Sequence, residues 1–178
     1  MNFKHKKFFV RGLKPSLSLP FTGEKSVSPL NYSWILNGKL AIGPIPKFTS
    51  HWSQLDDDGF SARFSCCYPY EHIFPENPDH WLTAQVSLPD HRGQEDLSTE
   101  RLSYALLSAK EMLTKTERSL YIHCFAGQER SALIAVGLVA ILKKKDLFES
   151  LSFIKQCHKS AKPMYSHLEV LDQVLRNI

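Results

Sequence analysis

The sequence predicts an α/β domain, a central mixed sheet flanked by helices. Three observations carry that expectation. Short β-rich runs are separated by segments of helical periodicity, the C-terminal half is rich in helix, and one strand passes through a short loop into a helix that is apolar nearly all round. At 178 residues the chain fits one domain with a sizeable core, without repeats or low-complexity tracts. Residues 1–30 carry Lys, Ser, Pro and Gly without periodicity and read as a basic N-terminal arm or linker. Residues 31–178 then form the single domain.

Taken in order, YSWILNGKLAIG (Tyr32–Gly43) places two apolar runs around Asn37-Gly38, the pattern of a tight β-hairpin. His51–Phe60 reads as a short helix stopped by Gly59. Its aspartates Asp56, Asp57 and Asp58 read as a solvated helix end, because no metal-ligand spacing follows. Ala62–Cys67 is a buried strand, and the proline-bearing loop after it, with His72 and His80, is expected to pack on its own domain. Leu82–Leu88 is the next strand, and the loop SLPDHRGQEDLS leads to an amphipathic helix over Ser98–Leu113, where Leu102, Leu106, Ala109 and Leu113 recur at helical spacing.

Ser119–His123 forms a further strand, and SALIAVGLVAIL continues as a central buried helix. A fourth helix starts at Asp146 with Glu149 three positions on, a capping-box pattern, and is expected to bury Leu147, Leu151 and Ile154. The last starts near Ser166, with Glu169 in the corresponding place, and is expected to bury Leu168, Leu171, Val174 and Leu175.

The net charge of +4 suits an anionic substrate, but no RNA- or DNA-binding signature accompanies it, so a nucleic-acid partner is not expected. The longest apolar run, Ala132–Leu142, is too short for a membrane span, and the apolar residues behind the basic start of the chain are too few for a signal peptide. Cys66 and Cys67 are adjacent and poorly placed to pair, and with Cys124 and Cys157 they lack the CxxC spacing of a zinc site. Free thiols in a reducing cytoplasm, no metal and a monomeric chain are expected. Cys66 and Cys67 are read as buried strand thiols, with capture of an oxidised Cys124 as the alternative.

The chemistry concentrates in YIHCFAGQERS (Tyr121–Ser131). A strand ends at His123, a loop turns, and a helix begins around Arg130, so the N–H groups of Phe125, Ala126, Gly127, Gln128, Glu129 and Arg130 can converge at the positive end of a helix dipole. Such a nest holds phosphate oxygens. Gly127 supplies unusual backbone angles, and Arg130 a planar two-pronged donor. The surroundings that attract phosphate also favour a negative sulfur on Cys124, at the mouth of the cradle, as a standing nucleophile.

HCFAGQERS resembles the signature loop of the cysteine-based protein phosphatases, HCxxGxxR followed by Ser or Thr, and the short chain is similar to their compact dual-specificity, tyrosine-phosphatase-like branch. The likeness runs over most of residues 32–178, although only the signature loop is highly specific. It implies a phosphomonoester hydrolase working through a phosphocysteine, with no cofactor. Cys124 would be the nucleophile and Arg130 the phosphate clamp. Asp90 of LPDHRG would be the general acid, with Asp96 in reserve, and Ser131 the hydrogen-bond donor to the leaving sulfur. His123 would support the loop rather than handle protons.

The resemblance also implies a phosphoprotein substrate, phosphotyrosine and also phosphoserine or phosphothreonine. The loop interior has no lysine for extra phosphates, and Glu129 stands beside Arg130. Arg92 reads either as a contact for an acidic substrate flank or as a solvated charge. A catalytically silent phosphoprotein-binding module, a phosphoinositide phosphatase and a sulfur transferase are the alternatives. One departure stands out: Pro163-Met164-Tyr165 occupies the region where many relatives carry a Pro-Asn pair that orders the site.

Overall fold

A computed structural model describes residues 27–72, 77–115, 117 and 119–178, so most of the N-terminal arm and part of the proline-bearing loop lie outside the described residues. Gly38, with φ of +64°, turns the hairpin of β1 (Ser33–Leu36) and β2 (Leu40–Pro44). After β2 come α1 (Thr49–Asp57), β3 (Phe60–Ser65), a short 3-10 turn at Pro69–Glu71, β4 (Leu82–Gln85), α2 (Thr99–Lys115) and β5 (Ser119–Cys124). Three helices close the chain: α3 (Arg130–Lys143), α4 (Leu147–Cys157) and α5 (Tyr165–Arg176).

The strands form one five-stranded sheet in the order β1-β2-β5-β3-β4, with β1 antiparallel to β2 and the rest parallel. The expected mixed sheet is therefore present. Central β5 is buried along its whole length, as a parallel strand covered on both faces should be. Its residues alternate: Leu120, Ile122 and Cys124 enter the larger core, while Tyr121 enters a smaller aromatic core with Trp52, Phe60 and Trp81. A register irregularity between Phe60 and Ala62 shifts Phe60 to that second face.

On the larger-core face, α3 is buried from Arg130 through Ala140. A Cβ at Gly137 would lie 2.4 Å from Leu106 Cδ2, so the glycine lets α2 approach α3 closely. No helix among the described residues is long and apolar enough to cross a membrane.

Several boundaries differ from the sequence expectation. Gly59, at φ of +89°, turns the chain so abruptly that β3 begins at Phe60 rather than Ala62. β4 ends at Gln85, although Val86 and Leu88 still donate to the Ser65 and Cys66 carbonyls. α1 begins at Thr49, ahead of His51. α4 has the expected capping box, with Asp146 Oδ1 accepting from Glu149 N at 2.8 Å, but Leu147 and Leu151 are only half-buried. α5 starts at Tyr165, one residue early, behind an extended Met164 that makes no side-chain cap bond; it buries His167, Leu171 and Val174 and leaves Leu168 and Leu175 half-buried.

The aspartate run is more than a solvated helix end. Asp56 accepts from Trp81 Nε1 and lies 3.1 Å from His80 Nε2, and Asp58 accepts from the Tyr32 hydroxyl at 2.8 Å. These bonds tie α1 to β1 and to the segment leading into β4. Among the described residues no cluster of His, Cys, Asp or Glu could hold a metal ion.

Candidate active site

The turn between β5 and α3 is fixed from outside by its own carbonyls. Phe125 O accepts from Ile45 N at 3.3 Å, Gln128 O from Lys162 N at 2.8 Å, and Gly127 O lies 3.0 Å from His158 Nε2. His158 is anchored in turn by Ser33 Oγ, 2.8 Å from its Nδ1, and burial holds its pKa below the usual imidazole range. With the carbonyls so engaged, none of the turn and loop bonds among the described residues uses an N–H of Phe125–Glu129 as donor to a backbone carbonyl. Those donors are left for an anion at the start of α3.

Gly127 makes the tight turn possible twice over. Its φ is +75°, and a Cβ there would lie 2.4 Å from Gly43 C and 2.5 Å from Pro44 N. It backs against the end of β2 and does not line the cavity in front of the turn, so its contribution to a phosphate site is through backbone alone.

That cavity, about 130 Å³, is bounded by residues of the turn and by Asp90, His91 and Arg92. Cys124, only 2% exposed, forms part of its lining, and its Sγ lies 3.3 Å from Ser131 Oγ. A larger hollow of about 400 Å³ next to Trp52 and Arg63 touches none of these residues.

Arg130 is also 2% exposed. Its Nη1 and Nη2 donate to Glu71 Oε2 and Oε1 at 2.7 and 2.9 Å, and Nη1 also reaches the Cys66 and Leu88 carbonyls at 3.3 Å. Burial works against the charge, but the hydrogen bonds to Glu71 and the charges of Cys124, Cys67 and Glu71 together outweigh it, and the pKa of Arg130 is raised. The guanidinium edge formed by Nη1 and Nη2 is thus occupied by protein. Buried Nε has no hydrogen-bond partner among the described residues, while Nη2 lies 3.2 Å from Asp90 Oδ2. The edge carrying Nε and the second Nη2 hydrogen is the one free to take two oxygens of a ligand.

Glu71 was not among the residues singled out in the sequence. It sits in the 3-10 turn, is 6% exposed, and its Oε2 also accepts from Tyr68 N at 2.8 Å. Its acidity is set by competition: burial raises the pKa, the bonds from Arg130, Tyr68 N and Arg92 lower it, and the net direction is down. No local pattern marks it, because its partner lies fifty-nine positions away.

Asp90 reaches the same cavity from the loop after β4. Its Oδ1 accepts from Arg92 N at 3.0 Å and its Oδ2 from Arg92 Nε at 2.9 Å. Burial favours the protonated acid, but the Arg92 bonds and the Arg130 charge prevail and lower the pKa. Arg92 is not a free solvated charge: it also donates to Glu71 Oε1 at 2.8 Å and its guanidinium carbon lies 5.2 Å from the Phe125 ring centroid, while its half-exposed side chain borders the cavity. Asp96 is exposed and does not line the cavity. Glu129 points at the acid loop, with Oε1 at 2.7 Å from His91 Nδ1. His123 is fully buried behind the turn, where burial first and the Arg63 charge second push its pKa well below the usual range.

Cys66 and Cys67 are buried free thiols; burial pushes Cys66 up well beyond its ordinary value and Cys67 to about 12. Cys67 Sγ lies 4.0 Å from His123 Nδ1.

The architecture and the β5–α3 turn together define a fold of the dual-specificity and tyrosine-phosphatase-like class. No family profile and no curated protein matches the chain at the level of sequence. Solved structures do match. Tk-PTP in its active form superposes with a TM-score of 0.67 at 21% identity, over 83% of this chain and 97% of that one. PTPMT1 in complex with PI(5)P gives 0.67 at 17% identity, over 82% and 95%. A human tyrosine phosphatase-like serine/threonine/tyrosine-interacting protein gives 0.67 at 16% identity, over 80% and 93%.

Proposed function

We propose that the protein is a phosphomonoester hydrolase that acts on phosphoproteins through a phosphocysteine intermediate. The observation that carries this reading is the shared cavity: Cys124, Arg130 and Asp90 line one hollow, with Ser131 Oγ 3.3 Å from the Cys124 sulfur. The phosphoryl group takes the free edge of Arg130 and the N–H groups of Phe125–Arg130, displacing Asp90 Oδ2 from Nη2. Released from Arg130 and placed beside a dianion, the Asp90 carboxyl gains affinity for a proton.

The Cys124 thiolate attacks phosphorus and forms the S–P bond as the P–O bond to the substrate breaks; Asp90 gives its proton to the departing oxygen. Water then attacks the phosphocysteine and gives a proton to Asp90. The S–P bond breaks, and the electron pair returns to a sulfur stabilised by the Ser131 hydroxyl. Charge on the transferring group is held by Arg130 and the turn amides.

A phosphoprotein is favoured over an inositol lipid because the turn interior, Phe125–Glu129, carries no lysine for further phosphates. The PI(5)P held by PTPMT1 gives the lipid reading its one specific support. The likeness to a phosphatase-like interacting protein supports a silent binding module in the same way.

The test compares turnover of an aryl phosphate, a phosphopeptide and PI(5)P by the wild type, Cys124→Ser and Asp90→Ala. Cys124→Ser is expected to lose turnover while still binding the phosphopeptide. Asp90→Ala is expected to lose about 100-fold or more on the phosphopeptide and less on a good leaving group. Faster turnover of PI(5)P than of the phosphopeptide supports the lipid reading, and equal rates for all three proteins reject the hydrolase.

A further inference from the structure

We propose that His91 is a positioning residue: clasped by Glu129, it keeps Asp90 over the cavity while a phosphate occupies Arg130. This inference rests on the hydrolase reading above and concerns how its acid is held. The Glu129 carboxylate engages His91 twice, through Oε1 at 2.7 Å from Nδ1 and through Oε2, which accepts from His91 N at 3.4 Å. Glu129 directly precedes Arg130, and His91 directly follows Asp90. One bridge therefore joins the neighbour of the phosphate clamp to the neighbour of the acid.

Glu129 stands at the N-cap position of α3 but makes no side-chain cap bond, so its carboxylate is committed to the acid loop. The opposite side of the loop is tied by Arg92, through Nη2 to Glu71 Oε1 at 2.8 Å. Asp90 lies between these two ties.

The bridge matters because one of the two direct ties to Asp90, the Arg130 contact, cannot survive substrate, which leaves Arg92 as the remaining side-chain partner of the carboxylate. Asp90 Oδ2 lies 3.2 Å from Arg130 Nη2, an ion-pair contact for which a phosphate on Nη2 would compete. An arriving dianion removes that contact and repels the carboxylate. The His91–Glu129 bridge does not use that contact, so it persists and keeps the carboxyl near the departing oxygen. The His91 side chain is 62% exposed, so removing it opens no cavity in the core.

The experiment measures kcat/KM of wild type, His91→Ala, His91→Asn, Glu129→Ala and the His91→Ala/Glu129→Ala pair on phenyl phosphate and dinitrophenyl phosphate, with vanadate inhibition and Tm alongside. Asp90→Ala reports the full loss of the acid. His91→Ala is expected to lose about tenfold on phenyl phosphate, a fraction of the general-acid contribution, and less than about twofold on the dinitrophenyl ester. Vanadate affinity and Tm stay unchanged. His91→Asn, which keeps a donor near the Nδ1 position, regains most of the loss. The double variant is no worse than the more damaged single variant.

Equal losses on both esters, no loss on either, or losses that multiply in the double variant overturn the positioning role while leaving the hydrolase intact. Absence of turnover by the wild type rejects the hydrolase reading and this role together.

Discussion

Glu71 and Arg130 face each other as a two-pronged ion pair, at 2.7 and 2.9 Å, beneath the turn that carries Cys124. A carboxylate from the segment after β3 thus sets the plane of the guanidinium and leaves one edge for the ligand. Both side chains are almost completely buried.

Breaking this pair from one side strands a buried charge. Glu71→Ala is expected to cost about 3–5 kcal/mol in stability, with loss of vanadate binding as Arg130 turns from its seat. Denaturant melts and inhibitor titration measure both. A variant of unchanged stability and affinity removes Glu71 from the account.

Gly127→Ala tests the turn. The left-handed conformation costs an ordinary residue about 1–2 kcal/mol, and the added Cβ meets backbone at 2.4 Å, which no side-chain rotation can relieve. The expected result is a folded protein by circular dichroism that binds vanadate at least tenfold more weakly, the equivalent of about 1.4 kcal/mol. Wild-type affinity would show that the phosphate cradle does not depend on this backbone shape.

Stability is expected to fall below neutrality. His72, His123, His158 and His167 all have folded pKa values lowered first of all by burial. The unfolded chain, near 6.5 at each imidazole, then binds more protons than the folded one as pH drops. Their contribution to folding is complete above about 6.5 and is lost as the pH falls toward their folded values. Melting temperatures at pH 5 and 7.5 check this, with the lower value expected at pH 5; His158→Gln should flatten the difference. A higher Tm at pH 5 contradicts it.

The oxidation partner of Cys124 follows from register. Ser65 pairs with His123, and Cys66 N donates to His123 O at 2.8 Å, so one step on sets Cys66 beside Cys124 on the same face. Neighbouring strands lie about 4.7–4.9 Å apart, within the Cα span of a disulfide. Peroxide is expected to take Cys124 to the sulfenic acid, which would condense with the Cys66 thiol and release water. Peptide mapping should find Cys66–Cys124; pairing with Cys67, or Cys124 oxidised irreversibly with Cys66 untouched, contradicts the register argument.

What the sequence made legible was local. The β5–α3 turn could be read because HCFAGQERS packs its strand end, its glycine and its helix start into nine consecutive residues. The all-round apolarity of SALIAVGLVAIL marked α3 as the central buried helix in the same way. Nothing local in the sequence marks Glu71, His91 and His158, because their partners lie 59, 38 and 31 positions away and only the folded chain brings them together. The bonds of Arg92 to Asp90 and Glu71 rule out only its reading as a free solvated charge. The start of α5 was misplaced because Met164 enters the helix without the side-chain cap that a serine or aspartate advertises.

The central claim is that sulfur carries the phosphoryl group. The direct measurement is rapid acid quench of the wild type during turnover of an aryl phosphate, followed by mass spectrometry of the peptide containing Cys124. A phosphoryl adduct on Cys124 is expected to build up within the first turnover and to be absent from Cys124→Ser. Product release at the wild-type rate with no adduct on that residue, or unimpaired turnover by Cys124→Ser, would contradict it.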